Sequence, residues 1–330
     1  MAATVQSRRT MKAVVNTAYG TPEVLKIQQI ARPVPKLNEV LIRVQATTVN
    51  RTDCGLRKAE PFIVRLFMGV FKPRIQVLGS EFAGEIVEVG SQVTAFKSGD
   101  RVFGLSYNKY GAHAEFLCLP EQEAFTLMPE KCSFNEAAAI CEGATLAYMY
   151  LKACHIEADQ QLLVYGASGS IGTAAVQLAH AFGVDVTAVC NTKNLELVKS
   201  LGADRVIDYQ TTDFTQLGKQ YDIVFDAVGK STLAECRPLL KEGGIYMSTD
   251  LGPYAQNPFL HLWTTWFGRY RVLFPVPRQR KEDIERFKAL VEERKYKPVI
   301  DRVYSIDQIA SAYQYVETET KTGNVVITVP

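Results

Sequence analysis

Residues 161–182 read Q-L-L-V-Y-G-A-S-G-S-I-G-T-A-A-V-Q-L-A-H-A-F, and no other stretch constrains the fold as tightly. Leu162–Tyr165 is an apolar run of strand length. It breaks into the turn Gly166-Ala167-Ser168-Gly169-Ser170-Ile171-Gly172. A helical period follows, with Ile171, Ala175, Leu178, Ala179 and Phe182 on one face. Strand, glycine turn and helix is the layout that receives a dinucleotide pyrophosphate. Gly169 lets the backbone approach the phosphates, and Gly172 lets helix and strand pack closely. Free N–H groups and the positive end of the helix dipole attract the anion. A second strand, Asp185–Cys190, stands at the distance a β-α-β unit requires.

The rest of the chain splits into two styles. Before residue 130 there are many short strands, among them 11–18, 39–46, 78–90 and 99–104. Val40, Ile42, Val44 and Ala46 alternate onto one face of the second. From residue 134 the pattern alternates. Strands are expected at 161–165, 185–190, 205–208, 222–226 and 244–249, with helices at 169–182, 194–201 and 231–240. The expected fold class is therefore α/β: a doubly wound parallel sheet of Rossmann type beside a β-rich domain. Amphipathic helices near 284–291 and 306–316 and a strand at 324–329 close the chain. They are expected to return to the first domain. The domain division expected is 1–138 with 278–330 for the β-rich domain, and 139–277 for the dinucleotide-binding domain.

Composition excludes several functions. The 330 residues carry a net charge of +2, and no lysine- and arginine-rich block supports nucleic-acid binding. The first ten residues contain no apolar run of a signal peptide. The aromatic stretch 258–277 is interrupted by His261, Arg269 and Arg271, so a membrane span is not expected. Seven cysteines stand without a C-x-x-C, which reads as reduced thiols in a cytoplasmic protein. The four histidines lack metal spacing, and nothing suggests a Ser-His-Asp hydrolase.

Several motifs recur together: M-K-A-V at 11–14, V-N-R-T-D at 49–53, G-S-E-F-A-G at 79–84, G-D-R-V at 99–102, G-A-T-L-A at 143–147 and D-A-V-G at 226–229. With the glycine loop, they make the chain resemble the medium-chain dehydrogenase/reductase superfamily, in particular its zinc-free quinone oxidoreductases. Ser170 stands where that family usually has a second consecutive glycine. The resemblance implies a GroES-like substrate domain and a Rossmann domain binding NADPH. It implies cofactor contacts from Asn50, Thr145, Ser168, Gly169, Ser170, Ile171, Gly172, Tyr209, Ala227, Val228 and Gly229. In the zinc enzymes a cysteine stands where this chain has Asn50 and a histidine where it has Ser80. Cys141 lies near a third ligand position and reads as a small core residue. Metal independence is expected.

Asn50 is the candidate catalytic residue, beside the nicotinamide by resemblance. The alternative is a turn residue capping the next helix. Asp53 and Arg57 stand at i and i+4 and would form a surface ion pair. The family often carries a tyrosine where this chain has Gly55; Tyr148 is a substitute proton donor or a core residue. Cys54 has no evident activating base.

The second strand ends at Cys190-Asn191-Thr192-Lys193 without an acid, so Lys193, with Asn191 and Thr192, would meet a 2′-phosphate and favour NADPH over NADH. The expected reaction is hydride transfer to a quinone or enone, with simple ketones poor substrates. A dinucleotide-sensing protein without turnover is the alternative. Residues 61–73 read as a core-facing helix or as a wall over an apolar substrate pocket. The aromatics of 253–276 read as pocket lining or core. Residues 269–274 read as an edge strand that would pair two copies into a homodimer.

Overall fold

The structure is a computed structural model that describes residues 10–330 except Ile63 and Leu217. The N-terminal stretch read above for targeting signals lies, in its residues 1–9, outside the described residues. The chain divides into two compact units. The first comprises Met1–Glu142, Gln279–Glu292 and Pro298–Pro330; the second comprises Gly143–Arg278 and Glu293–Lys297.

The first unit opens with an antiparallel ribbon of β1 (Thr10–Asn16) and β2 (Leu25–Ala31). Then come β3 (Glu39–Val49), α1 (Arg51–Lys58), α2 (Val64–Met68), β4 (Glu81–Val89), β5 (Arg101–Leu105), β6 (Phe116–Pro120), β7 (Phe125–Leu127) and α3 (Phe134–Ala138). The alternating face of β3 is buried at Val40, Ile42, Val44 and Ala46, and Leu41 is buried as well. The strand lies between neighbours, pairing antiparallel with β4 and with β6. Phe82, Ile86, Phe125, Tyr313 and Ile327 belong to the same core.

The helix α4 (Cys141–Ala153) leads into the alternating half. There follow β8 (Gln161–Tyr165), α5 (Ser170–Ala181), β9 (Asp185–Cys190), α6 (Leu195–Ser200), β10 (Arg205–Asp208), β11 (Tyr221–Asp226), α7 (Leu233–Cys236), β12 (Leu240–Ser248), α8 (Gln256–Phe267) and β13 (Arg271–Leu273). The six strands form one parallel sheet in the order β10-β9-β8-β11-β12-β13. The order reverses between β8 and β11, the place where a doubly wound sheet receives its ligand. Helix α5 is buried all round from Gly172 to Ala179. Its small side chains let the helix lie close, so the sequence period under-reports the burial. The helix expected over 231–240 is only the four residues of α7 followed by a 3-10 turn at Arg237–Leu239, because Pro238 cannot continue the hydrogen-bond ladder.

The chain then adds α9 (Lys281–Glu292), β14 (Ile300–Ser305), α10 (Ile309–Glu317) and β15 (Asn324–Thr328) to the first unit. Its main sheet has the order β14-β15-β3-β4-β5-β7, with β6 also on β3. No helix among the described residues is long and apolar enough to cross a membrane.

The reading of 61–73 as a core-facing helix is corrected. The helix is only Val64–Met68, and Phe62, Leu66, Val70 and Phe71 are exposed. Prolines 61 and 73 bound a stretch too short to build a helix whose apolar face could be covered. Of the aromatics of 253–276, Tyr254, Phe259, Trp263, Trp266 and Phe267 are exposed and not core, whereas Tyr270 packs partly buried against the core of its unit.

Candidate functional site

In the second unit, β8 ends in Gly166 at φ +77, a left-handed conformation that favours glycine. A Cβ there would come within 2.4 Å of Val228 Cγ1, so the loops after β8 and β11 meet at this glycine. At Gly172 a Cβ would lie 2.2 Å from Gly166 O and 2.7 Å from Ala167 Cα; helix and strand meet backbone to backbone. Gly169 differs. A Cβ there meets nothing closer than Gly166 O at 3.5 Å, so the protein's own packing leaves that position open. Gly169 is also the N-cap of α5 and supplies no side-chain cap. An open glycine at an uncapped helix N-terminus fits a dinucleotide pyrophosphate. Thr145 Oγ1 is a second sign: it is buried with no hydrogen-bond partner. Ser170 Oγ lies against Gly143, where a Cβ would be 2.6 Å away, so this hydroxyl faces the first turn of α4.

The Ala227-Val228-Gly229 loop is organised by Asp226, a role the sequence reading did not assign. Its buried carboxylate accepts from Val228 N at 3.1 Å, Gly229 N at 2.8 Å, Ser231 N at 2.7 Å and Ser231 Oγ at 2.8 Å. At the end of β9, Lys193 is exposed. Thr192 Oγ1 donates to Asp208 Oδ2 at 2.5 Å and to Gln210 Oε1 at 2.9 Å, and Asn191 Oδ1 accepts from Asn194 at 2.7 Å. β9 ends without an acid, but the neighbouring strand supplies one. Asp208 lies opposite Cys190 in register, a pairing visible only once β10 is placed. Tyr209 stands half exposed, its ring edge-on to Tyr165 with centroids 6.3 Å apart.

The first unit holds a buried polar pocket around Asn50. Asn50 is the N-cap of α1, with Oδ1 accepting from Asp53 N at 2.8 Å and Asp53 returning the bond to Asn50 N at 3.2 Å. Its Nδ2 donates to Ser80 Oγ at 3.1 Å and to Glu142 Oε2. The capping and site readings of Asn50 are therefore not exclusive: one oxygen caps, and the amide nitrogen serves the pocket. Glu142 also accepts from Thr52 Oγ1 at 2.8 Å. Glu81 accepts from Thr48 Oγ1 at 2.6 Å and from Glu142 N at 2.6 Å. Burial, then the charges of Glu81 and Asp53, pushes the Glu142 carboxyl well above the usual range, with Lys321 opposing. Burial raises Asp53 to about 7 and pulls the Lys321 ammonium down to about 8. Sequence reading missed Glu142. Its only signal was a lone acid in the apolar run A-A-A-I-C-E-G-A.

Several candidate roles change. Asp53 does not pair with Arg57: its second oxygen accepts Gly79 N at 3.1 Å. Arg57 is fully buried, with Nη1 donating to Gly20 O and Nη2 bound to Glu317 Oε1, because α10 packs on α1. Cys54 is buried, and its thiol is pushed up to about 12 by burial and by the charge of Asp53. Tyr148 packs near Phe182, ring centroids 6.4 Å apart. His113 is buried with Nε2 2.9 Å from Thr48 O, and burial pulls it down to about 4.

The donor set does not fit catalytic zinc. Asn50 offers a neutral amide and Ser80 a hydroxyl, while Cys141 is buried with its thiol driven far up by burial and by Glu81. No group of three His, Cys, Asp or Glu side chains among the described residues could hold a metal ion.

Residues 36–130 match the family described as alcohol dehydrogenase GroES-like domain, and residues 201–327 the family described as zinc-binding dehydrogenase. The chain is 34% identical over 329 residues to the 2-methylene-furan-3-one reductase of Solanum lycopersicum, across 96% of this chain and 79% of that one. It is 33% identical over 332 residues to the chloroplastic quinone-oxidoreductase homolog of Spinacia oleracea, across 96% and 98%. The quinone oxidoreductase structure from Coxiella burnetii superposes with a TM-score of 0.86 at 26% identity, covering 98% of this chain and all of that one. These relationships imply a nicotinamide cofactor. The chain belongs to the medium-chain dehydrogenase/reductase superfamily, as an oxidoreductase of its zinc-free quinone oxidoreductase-like branch.

Proposed function

We propose that this enzyme is an NADPH-dependent reductase of quinones or activated alkenes such as enones, and that it works without a metal. The observation that carries the reading is the Asn50 pocket, where an amide donor backed by Glu142 and Ser80 replaces a Lewis acid. A bound nicotinamide supplies the hydride. Ser168–Gly172 would hold the pyrophosphate, Thr145 the nicotinamide amide, and Ala227–Gly229 the edge of the cofactor. Lys193, with Asn191, Thr192 and Tyr209, would take the 2′-phosphate. Asn50 would turn one N–H from Glu142 to the acceptor oxygen as charge develops there. Conjugated acceptors need only that donor, whereas an unconjugated ketone lacks the polarisation a metal would give.

Asn50→Ala should lower turnover more than it weakens NADPH binding, and matched enones should react far faster than ketones. Equal enone and ketone rates would refute the mechanism; unchanged turnover in Asn50→Ala would remove that residue from it. Two further parts of the reading are independent. The seven free thiols fit a reducing, cytoplasmic setting. The edge strand β13 fits antiparallel pairing into a homodimer, which a monomer mass in light scattering at micromolar concentration would exclude.

A further inference from the structure

Helix α8 is built inside out. The side that meets the rest of its unit is polar. Thr264 Oγ1 accepts from Val272 N at 2.9 Å and donates to Leu260 O at 2.6 Å. His261 Nδ1 donates to Val272 O at 2.9 Å, and Asn257 Nδ2 donates to Asp250 O at 2.8 Å. Asn257 and Thr264 are the buried residues of the helix, and Leu260 packs on the core beside them. The other side carries Phe259, Leu262, Trp263, Trp266 and Phe267, at i, i+3, i+4, i+7 and i+8. An amphipathic helix ordinarily turns such a stripe to the core. Here these five side chains are between 64% and 80% exposed. Trp263 and Phe267 pack on each other with centroids 5.2 Å apart, so the stripe is one ordered surface.

Charge along this stretch of chain has one sign, although Glu242 on β12 stands 3.6 Å from Arg269. From Leu251 to Arg278 there is no aspartate or glutamate, while Arg269, Arg271 and Arg278 are exposed. We propose that α8 docks the enzyme on an anionic lipid bilayer: the aromatic stripe enters the boundary between headgroups and acyl chains, and the three arginines meet lipid phosphates. Tryptophan beside arginine is the composition that settles at this boundary. A second copy fits less well. Two-fold pairing of α8 on α8 would set a stripe against itself and bring the flanking arginines toward their own copies. A small substrate would cover only part of it, because the stripe from Phe259 to Phe267 runs about 12 Å along the helix.

Trp263 and Trp266 are the chain's two tryptophans, so tryptophan emission reports this face alone. Vesicles of phosphatidylcholine containing phosphatidylserine should shift the emission to the blue and carry the protein in flotation. High salt should reverse both effects, and phosphatidylcholine alone should act weakly. Phe259→Ser with Leu262→Ser and Phe267→Ser keeps both reporters and should abolish flotation at an unchanged melting temperature. Arg269→Gln with Arg278→Gln should weaken binding about tenfold or more.

No shift and no flotation with anionic vesicles would overturn the proposal. So would a blue shift without lipid that grows with protein concentration alongside a dimer mass, or one produced by a soluble quinone. Flotation unchanged in the triple variant would overturn the assignment to α8. None of these readouts depends on turnover, so they stand or fall apart from the reductase reading.

Discussion

The cofactor loop of the second unit and the Asn50 pocket of the first are both built for chemistry, but from opposite materials. The loop is backbone: Gly166, Gly169 and Gly172 act by what they lack, and only Asp226 contributes a charge that organises it. The pocket is side chain: an amide, three hydroxyls, three carboxyls and an ammonium share a buried volume. The first tolerates no added atom at Gly166 or Gly172 and leaves Gly169 open. The second tolerates atoms but no unbalanced charge.

The largest effect that would sharpen this contrast lies beside the pocket. Arg57→Ala leaves the Glu317 carboxylate with only the partly exposed Lys58, 3.3 Å away, and empties a fully buried site; it should cost about 3–5 kcal/mol of stability in denaturant unfolding. A loss below about 1 kcal/mol would show that the charge balance is not what holds α1 to α10.

Next comes the rim of the loop. Lys193→Ala should weaken NADPH by about 1.5–3 kcal/mol, roughly ten- to a hundredfold, with NADH little changed. Asp208→Asn should move the same ratio the other way, toward NADPH, since it removes a negative charge next to Thr192. An unchanged ratio in both variants would place the 2′-phosphate elsewhere.

The loop itself separates into two kinds of glycine. Gly172→Ala forces a Cβ onto backbone atoms and should lower stability by about 1–3 kcal/mol. Gly169→Ala should leave the melting temperature in place and weaken cofactor binding alone. If both variants melted alike, the loop would be a structural turn and the contrast would fail.

The last test reads a slope rather than a single loss. Burial raises Asp53 from 3.8 to about 7, so between those values the folded state holds a proton that the unfolded state has lost. Stability from this group is complete below pH 3.8 and declines as pH rises to about 7. Lys321 is lowered from 10.5 to about 8, so its contribution runs the other way, with stability rising between about pH 8 and 10.5. Each group contributes at most about 1.4 kcal/mol per pH unit. Asp53→Asn should flatten the first limb in pH-dependent unfolding. An unaltered slope would mean that Asp53 stays ionised.

The same contrast decides what the sequence could reveal. The glycine loop was legible because its constraint is largely local: Gly166 takes a left-handed φ, and a Cβ on Gly172 would meet Gly166 and Ala167, within six residues of it. The parallel sheet was legible because strand-length apolar runs alternate with helical segments along the chain. The pocket was legible only in part: Asn50 and Ser80 stood out by resemblance, but Glu142 joins them only after three elements fold together. Asp208 escaped for the same reason, standing on a neighbouring strand. Helix α8 was ambiguous in a different way. A stripe at i, i+3 and i+4 looks the same whether it faces a core or the outside, and only the bonds of Thr264 and His261 to Val272 decide which side turns in.

The place of β15 sets a timetable. Its partners are β14 and β3, and Val325 lies opposite Val49. The second unit, apart from Glu293–Lys297, is one run from Gly143 to Arg278. During synthesis the second unit can close while the first still lacks a strand between β14 and β3. Until residues 324–328 leave the ribosome, the Ala46–Val49 end of β3 presents an open edge, a ready partner for another nascent chain. The unit begun first is therefore the one finished last.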